Sequence, residues 1–322
     1  CPTPPWLSTS AFQDMGEEAD CHLEFLLVRC FLTKIFFQVY RFMENRPYDL
    51  SQIMPAPPAV YHCLRTPVPP QIDGNLEKAV WQKAPRSSRF VDLVSGQPAP
   101  LDTRIAALWD ETCFYLAFWV EEPDVQAHFS QRDSFLWLEN DVEVFIAGPD
   151  CYYELQLNAL GTIYEVFYIW QQALRRGSFF DRPEFDLYTR EVDVLGGYQD
   201  SSRWGGHPRG KRWAFLDWDF PELKWAVRVE GSLNDSSDVD RGWTVELAFP
   251  WKGMEVLAQG RPLPPRDGEV WRMSFSRFQS LEAGGRRLEP AAGWALNAHG
   301  VYDSHIPECF SQVVFSLKEI EL

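Results

Sequence analysis

Positive charge is scarce in this chain, and little of it is laid out for metal or phosphate chemistry. Lys and Arg total 30 against 46 Asp and Glu, a formal net charge of −16 over 322 residues. That balance repels phosphate backbones and anionic lipid surfaces, and argues against nucleic-acid and peripheral membrane partners. The 6 histidines, His22, His62, His128, His207, His299 and His305, do not cluster at metal-ligand spacing. Of the 7 cysteines, Cys1, Cys21, Cys30, Cys63, Cys113, Cys151 and Cys309, none forms a C-x-x-C pair. This excludes a zinc knuckle and a thioredoxin-type redox site, and the odd number and wide scatter speak against a dense disulfide framework. No G-x-S-x-G elbow, Walker loop, Rossmann glycine fingerprint or H-E-x-x-H pair is present. A long uncharged apolar run is missing as well. Residues 23–42 have the length of a membrane span but carry Glu24, Arg29, Lys34 and Arg41. Each charge near a bilayer centre costs about 3 kcal/mol, so no span is predicted. The segment is equally unlike a secretory signal, with no basic start leading into it and no small-residue cleavage site after it.

What is abundant is apolar and aromatic. Hydrophobic residues make up 45% of the chain and aromatics 15%, including 14 Trp, 23 Phe and 11 Tyr. This supports a sizeable core, and so many tryptophans suggest stacking on sugar rings or flat ligands. Residues 1–60 read differently from the rest. We treat them as a leader set apart from the domain plus a proline-rich lead-in, with a natural start expected near Met43. Residues 61–322 form one domain. There, short alternating runs rich in Val, Ile, Phe, Tyr and Trp recur between Gly, Pro, Asp and Asn clusters, as in TRIAALWD (103–110), CFYLAFWV (113–120), DVEVFIA (141–147), YYELQLNA (152–159) and VWRMSFSRF (270–278). The pattern predicts an all-β fold, an antiparallel β-sandwich of immunoglobulin or jelly-roll type with few short helices. One short helix is expected in NLEKAVWQKA, with Asn75 as its N-cap. A long irregular stretch, residues 175–225, holds Trp204, Trp213, Trp218 and Trp225 and either rims a binding face or covers a sheet.

Alternation also sorts side chains to faces. Tyr152, Glu154, Gln156 and Asn158 share one face of their run, and Asp141, Glu143 and Phe145 share one face of theirs. Paired as a hairpin, the two runs bring Glu143, Glu154, Gln156 and Asn158 into one polar patch. Carboxylates and amides suit sugar hydroxyls, each of which both donates and accepts; a solvated outer sheet face has the same pattern.

In order along the body stand Ile72-Asp73-Gly74 with Trp81, Leu108-Trp109-Asp110 leading into Tyr115-Leu116-Ala117, Asn140–Ile146, Tyr152–Ala159, Gly231-Ser232-Leu233-Asn234 with Trp243–Glu246 and Pro250-Trp251, Trp271-Arg272 with Ser276-Arg277, and His305–Glu308. In these pieces the chain resembles the family 9 carbohydrate-binding modules in their stand-alone form, related to the DOMON sandwiches. The resemblance implies non-catalytic binding of a glycan chain end or small saccharide, in support of polysaccharide catabolism. Two aromatic rings would grip the sugar, and a carboxylate, amides and an arginine would orient it. Trp137 and Glu143 match the first ring and its carboxylate. Glu154, Gln156 and Asn158 fall on the next strand, with Glu154 where a basic residue is expected, and Arg277 supplies the guanidinium. The second ring is Trp294 or Tyr302, with Asn297 beside them. Trp81, Trp109, Trp243 and Trp251 are assigned to packing. The family is commonly extracellular or periplasmic.

Alternatives remain open at this stage. Glu143 and Glu154 are the acids a glycoside hydrolase or its accessory domain would need. Related sandwiches bind haem, for which Met254, Met273, His299 and His305 are available. The scaffold without a sugar site would be an interaction module. No cofactor is expected beyond a structural calcium, with Asp235, Asp238 and Asp240 as candidates in an acidic loop that lacks EF-hand spacing.

Overall fold

A computed structural model describes residues 57–196, 207–283 and 286–322. The leader, the Met43 start and Trp204 lie outside the described residues. Period-two runs become strands. In chain order they are β1 (Val60–Arg65), β2 (Val91–Asp92), β3 (Thr103–Trp109), β4 (Cys113–Glu121), β5 (Asp141–Ala147), β6 (Cys151–Leu157), β7 (Ile163–Trp170), β8 (Val192–Leu195), β9 (Arg212–Phe215) and β10 (Lys224–Glu230). They continue as β11 (Gly242–Pro250), β12 (Val270–Gln279), β13 (Glu282–Ala283), β14 (Arg286–Arg287), β15 (Ala292–Ala295) and β16 (Ser311–Glu319). Among the described residues the α-helices are short, α1 (Ala79–Lys83) and α2 (Glu255–Ala258).

Hydrogen-bonded neighbours run β10-β11-β4-β3-β1-β16-β12-β5-β6-β7-β9-β8, with β15 on β12 and β2 on β15; β13 and β14 pair apart. The pairing is antiparallel except at β1, which lies parallel to both β16 and β3. The path folds into two layers whose inner faces meet. Phe118 of β4 packs edge-on against Phe275 of β12 at 6.4 Å, and Tyr153 of β6 against Phe249 of β11 at 6.5 Å. The core between them takes alternate residues from each strand, among them Ile105, Leu116, Val245, Val144, Leu155 and Phe167. Each large apolar side chain so buried contributes about 1.5–3 kcal/mol. From the irregular stretch, Trp218 covers this core, packing on Tyr153 at 5.6 Å. Trp225 is half-buried and donates to the Gly161 carbonyl at 2.8 Å. Trp81, Trp109, Trp243 and Trp251 are all buried in packing roles.

Each layer is also covered on its outer face. Over β3, β4 and β11 lie Leu76, Val80 and Trp81 of the α1 segment. This helix is shorter than expected. Asn75 caps the turn before it, accepting from the Glu77 amide at 3.0 Å, and the residue at the helix N-cap is Lys78, without a side-chain cap. A buried carboxylate, Glu246 of β11, fastens the segment. It accepts from the Asp73 and Gly74 amides at 2.9 and 2.8 Å, from Lys78 Nζ at 2.7 Å and from Trp81 Nε1 at 2.5 Å. The close approach requires glycine at 74, where φ is +79° and a Cβ would lie 2.8 Å from the Val227 backbone. Over β5, β6 and β7 lie Leu136 and Phe310, with half-buried Phe129 and Trp137.

Candidate functional site

The outward residues of β5, β6, β7 and β12 stand in rungs. Glu143 faces Gln156 on one side and Ser276 on the other. On the next rung Phe145 faces Glu154, and beyond it Tyr152 faces Tyr168. Gln156 Nε2 donates to Glu143 Oε1 at 3.3 Å and to Glu154 Oε1 at 2.7 Å, so one amide nitrogen bridges two acids. The Ser276 and Ser304 hydroxyls donate to Glu143 Oε2 at 2.9 and 3.1 Å. Tyr168 donates to Glu154 Oε2 at 2.7 Å, and His305 Nε2 stands 4.0 Å from that oxygen.

Burial strips water from these acids and disfavours their charged forms. Glu143 is pushed up to about 8, by burial first and by the Glu154 charge second. Glu154 is pushed up to about 7, again mainly by burial, with the Tyr168 and Gln156 hydrogen bonds opposing. Asp141 continues the row. It is 1% exposed, and burial, then the Glu143 charge, raise it well above the usual carboxylate range. Neither of its oxygens has a hydrogen-bond partner, and the Phe278 amide, which offsets the shift in part, does not reach bonding geometry.

Aromatic rings flank the row. Trp137 is half-buried, with Phe135 stacked on it at 4.5 Å and Tyr164 edge-on at 5.0 Å. Phe278 is the cross-strand neighbour of Asp141, and Tyr302 packs edge-on against Phe278 at 5.6 Å. The Tyr302 ring therefore stands at the Asp141 end; its hydroxyl donates to the Ala291 carbonyl at 2.8 Å.

The other candidate residues sit elsewhere. Asn158 spends its side chain on the Phe129 carbonyl at 2.8 Å, on Glu139 at 2.7 Å and on the amides of Leu160 and Thr162. Arg277 lies on the opposite face of β12 from Ser276, in line with Trp271, Met273 and Phe275. Its guanidinium donates to Thr103, to the Glu121 carbonyl at 2.8 Å and to Gln279 at 2.5 Å, and pairs with Glu122 at 3.5 Å. Burial lowers it to about 10, against the pull of Glu122. Trp294 lies buried beneath it, the guanidinium carbon 5.0 Å from the ring. Asn297 ties Ser311 and the Cys309 carbonyl together at 2.6 and 2.9 Å.

In the acidic loop, Asp240 accepts from the Val125 and Ser232 amides at 2.7 and 2.6 Å, Asp238 from the Ser232 hydroxyl at 2.6 Å, and Asp235 caps the Ser237 amide at 3.0 Å. Among the described residues no group of three or more His, Cys, Asp or Glu is placed to hold a metal. Met254 and Met273 are in the main core, and His299 faces the Asp303 carbonyl at 2.8 Å.

No family model and no curated protein sequence matches the chain. Among solved structures, a protein from Bacteroides uniformis ATCC 8492 inferred to bind carbohydrate superposes with a TM-score of 0.51 at 13% identity, over 81% of this chain and 100% of that one. The two share a fold. This is the sandwich that the sequence resemblance implied. Two structures of a family 9 carbohydrate-binding module from Caldicellulosiruptor kristjanssonii, with cellotriose and with glucose, are each 11% identical to the chain. They cover 80% and 81% of it and 95% and 99% of themselves, with TM-scores of 0.43 and 0.44.

Asp141, Tyr168, Ser276, Ser304 and His305 complete the cluster and were not assigned to the sugar site from sequence, although parity put Asp141 on the Glu143 face, Ser276 stood in a stretch that carries the resemblance and His305 was offered for haem. Two carried a readable signal. Parity along VWRMSFSRF puts Ser276 opposite Phe275, and parity along TIYEVFYIW puts Tyr168 with Tyr164. Ser304 and His305 come from a loop, which has no period to read.

Proposed function

We propose that this chain binds carbohydrate, a glycan chain end or a small saccharide, on the outer face of β5, β6, β7 and β12, and does so without cleaving it. One observation carries the reading. A single amide joins Glu143 to Glu154 in a buried row of hydrogen-bonding groups, with half-exposed Trp137 on the same face. A pyranose has apolar C–H faces and an equator of hydroxyls. Stacking on a ring is worth about 1 kcal/mol, and each hydrogen bond adds about 0.5–1.5 kcal/mol net. Affinity for one sugar unit is accordingly modest. Support for polysaccharide catabolism belongs to the same reading.

The hydrolase alternative is less well supported. Glycoside cleavage needs one acid held neutral and the other ionised. Burial pushes Glu143 and Glu154 in the same direction. The negative charge of the chain favours a neutral or cationic partner over an anionic polymer.

Calorimetric titration with a panel of mono- and oligosaccharides, followed in parallel by tryptophan fluorescence, tests the proposal. Saturable binding that is lost in Glu154→Ala is expected. Absence of heat and of fluorescence change with every saccharide overturns it.

A further inference from the structure

The row on the outer face is unbalanced in a specific way. Asp141, Glu143 and Glu154 bring three carboxyl groups to adjacent rungs of β5 and β6. Among the described residues no lysine or arginine pairs with any of them; His305 Nε2 stands 4.0 Å from Glu154, and the Arg212 guanidinium stops at the Tyr152 hydroxyl, 3.1 Å away. The polar atoms left without partners here are all acceptors: both oxygens of buried Asp141 and Oε1 of buried Gln156. The nearby donors are already engaged. Gln156 Nε2 is shared between two acids, the Ser276 and Ser304 hydroxyls are on Glu143, and Tyr168 is on Glu154.

Buried acceptors without donors are costly, and buried carboxylates without a cation more so. Glu246 shows how this chain satisfies such a group when the role is structural. It receives two backbone amides, an indole N–H and a lysine. The Asp141–Glu143–Glu154 row receives no comparable set and leaves room in its bonding for donors from outside.

We propose that the row selects a saccharide carrying an ammonium group, a 2-amino sugar at the chain end, over its neutral counterpart. This rests on the sugar-binding reading above and specifies its ligand class. The ammonium supplies up to three N–H donors and one positive charge, matching the unpartnered Asp141 and Gln156 oxygens. A uronic acid is disfavoured as well, because its carboxylate brings further acceptors and no donor to a buried row already short of donors. The remaining titratable groups facing the row are Glu139 beside Asn158, Asp303 in the loop above Glu143, and Tyr168 and Tyr152 from β7 and β6. Among the groups around them, the Arg212 guanidinium, which donates to the Tyr152 hydroxyl at 3.1 Å, brings a positive charge to the Tyr152 end, away from Asp141.

The test uses the full chain and two disaccharides of the same linkage, cellobiose and the fully deacetylated glucosamine dimer. At about pH 7 the amino dimer is expected to bind about tenfold tighter. The advantage is expected to be smaller at about pH 5, where Glu154, which burial raises to about 7, keeps its proton as Glu143 does, and to grow toward about pH 7 as Glu154 begins to ionise. Asp141→Asn is expected to bring the ratio of the two affinities close to one, with the melting temperature measured alongside to show that the variant is folded. Cellobiose binding as tightly as the amino dimer, or an advantage that survives in folded Asp141→Asn, overturns the inference and leaves the sugar-binding reading standing. If neither disaccharide nor any other saccharide binds, the sugar-binding reading fails and takes the inference with it.

Discussion

The two outer faces of the sandwich each bury glutamates, and they treat them in opposite ways. On the face under α1, Glu246 is surrounded by two amides, an indole and Lys78, which closes the Asp73–Gly74 turn over the sheet. On the face of β5 and β6, Glu143 and Glu154 share one amide and a few hydroxyls, with no lysine or arginine among the described residues. Burial alone therefore does not mark a functional acid. The balance of donors to acceptors around it does, because a saturated carboxylate holds the fold while an under-supplied one is poised to meet a ligand.

The largest effect expected from breaking this contrast is in Glu246→Ala. It strands Lys78 Nζ, Trp81 Nε1 and two backbone amides, and should cost about 4 kcal/mol in denaturant unfolding. A loss below 1 kcal/mol would mean that the staple is dispensable. Next is Glu143→Gln. Glu143 and Glu154 are raised above their unfolded values, so the folded chain binds more protons than the unfolded chain between about pH 5 and pH 8. Their contribution is fully present below the unfolded values and is lost as pH rises through the folded ones. Glu143→Gln should flatten that decline by about 2 kcal/mol across the window, seen as unfolding midpoints that converge at the two pH values. Glu246→Gln should lose stability, because the amide cannot pair with Lys78.

Trp137→Ala follows. It removes the half-exposed ring flanking the under-supplied row, so stability should fall by about 1 kcal/mol or less while saccharide affinity drops about tenfold. Equal affinity would place the sugar elsewhere. The acidic loop holds one effect of comparable size and the smallest ones. Asp240→Ala removes the acceptor for the Val125 and Ser232 amides and should cost about 1–2 kcal/mol. In contrast, Asp235→Ala and removal of calcium by a chelator should leave the melting temperature unchanged. A shift on chelation would establish a metal there.

Much of this was legible in the residues because hairpins are local. Gly148 and Asp150 lie in the short turn that joins β5 to β6, and with that turn in place alternation alone pairs Glu143 with Gln156. The same rule, carried along β12, separates Ser276 from Arg277. Arg277 was grouped with the site through the family resemblance, but its parity with Phe275 turns it into the interior, where it meets Glu122 and covers Trp294. What could not be read was anything set by distant pairing or by loops. The parallel placement of β1 and the arrival of Ser304 over Glu143 depend on contacts between segments far apart in sequence, which no local period encodes.

The parallel strand has a consequence for how the chain assembles. β1 is made before every other strand described, yet one of its two neighbours is β16, at residues 311–319. A nascent chain on the ribosome must hold this strand with one ladder open until β16 has emerged. Such a strand is a natural target for holding chaperones, and a chain halted before β16 would leave unpaired edges on both β1 and β12.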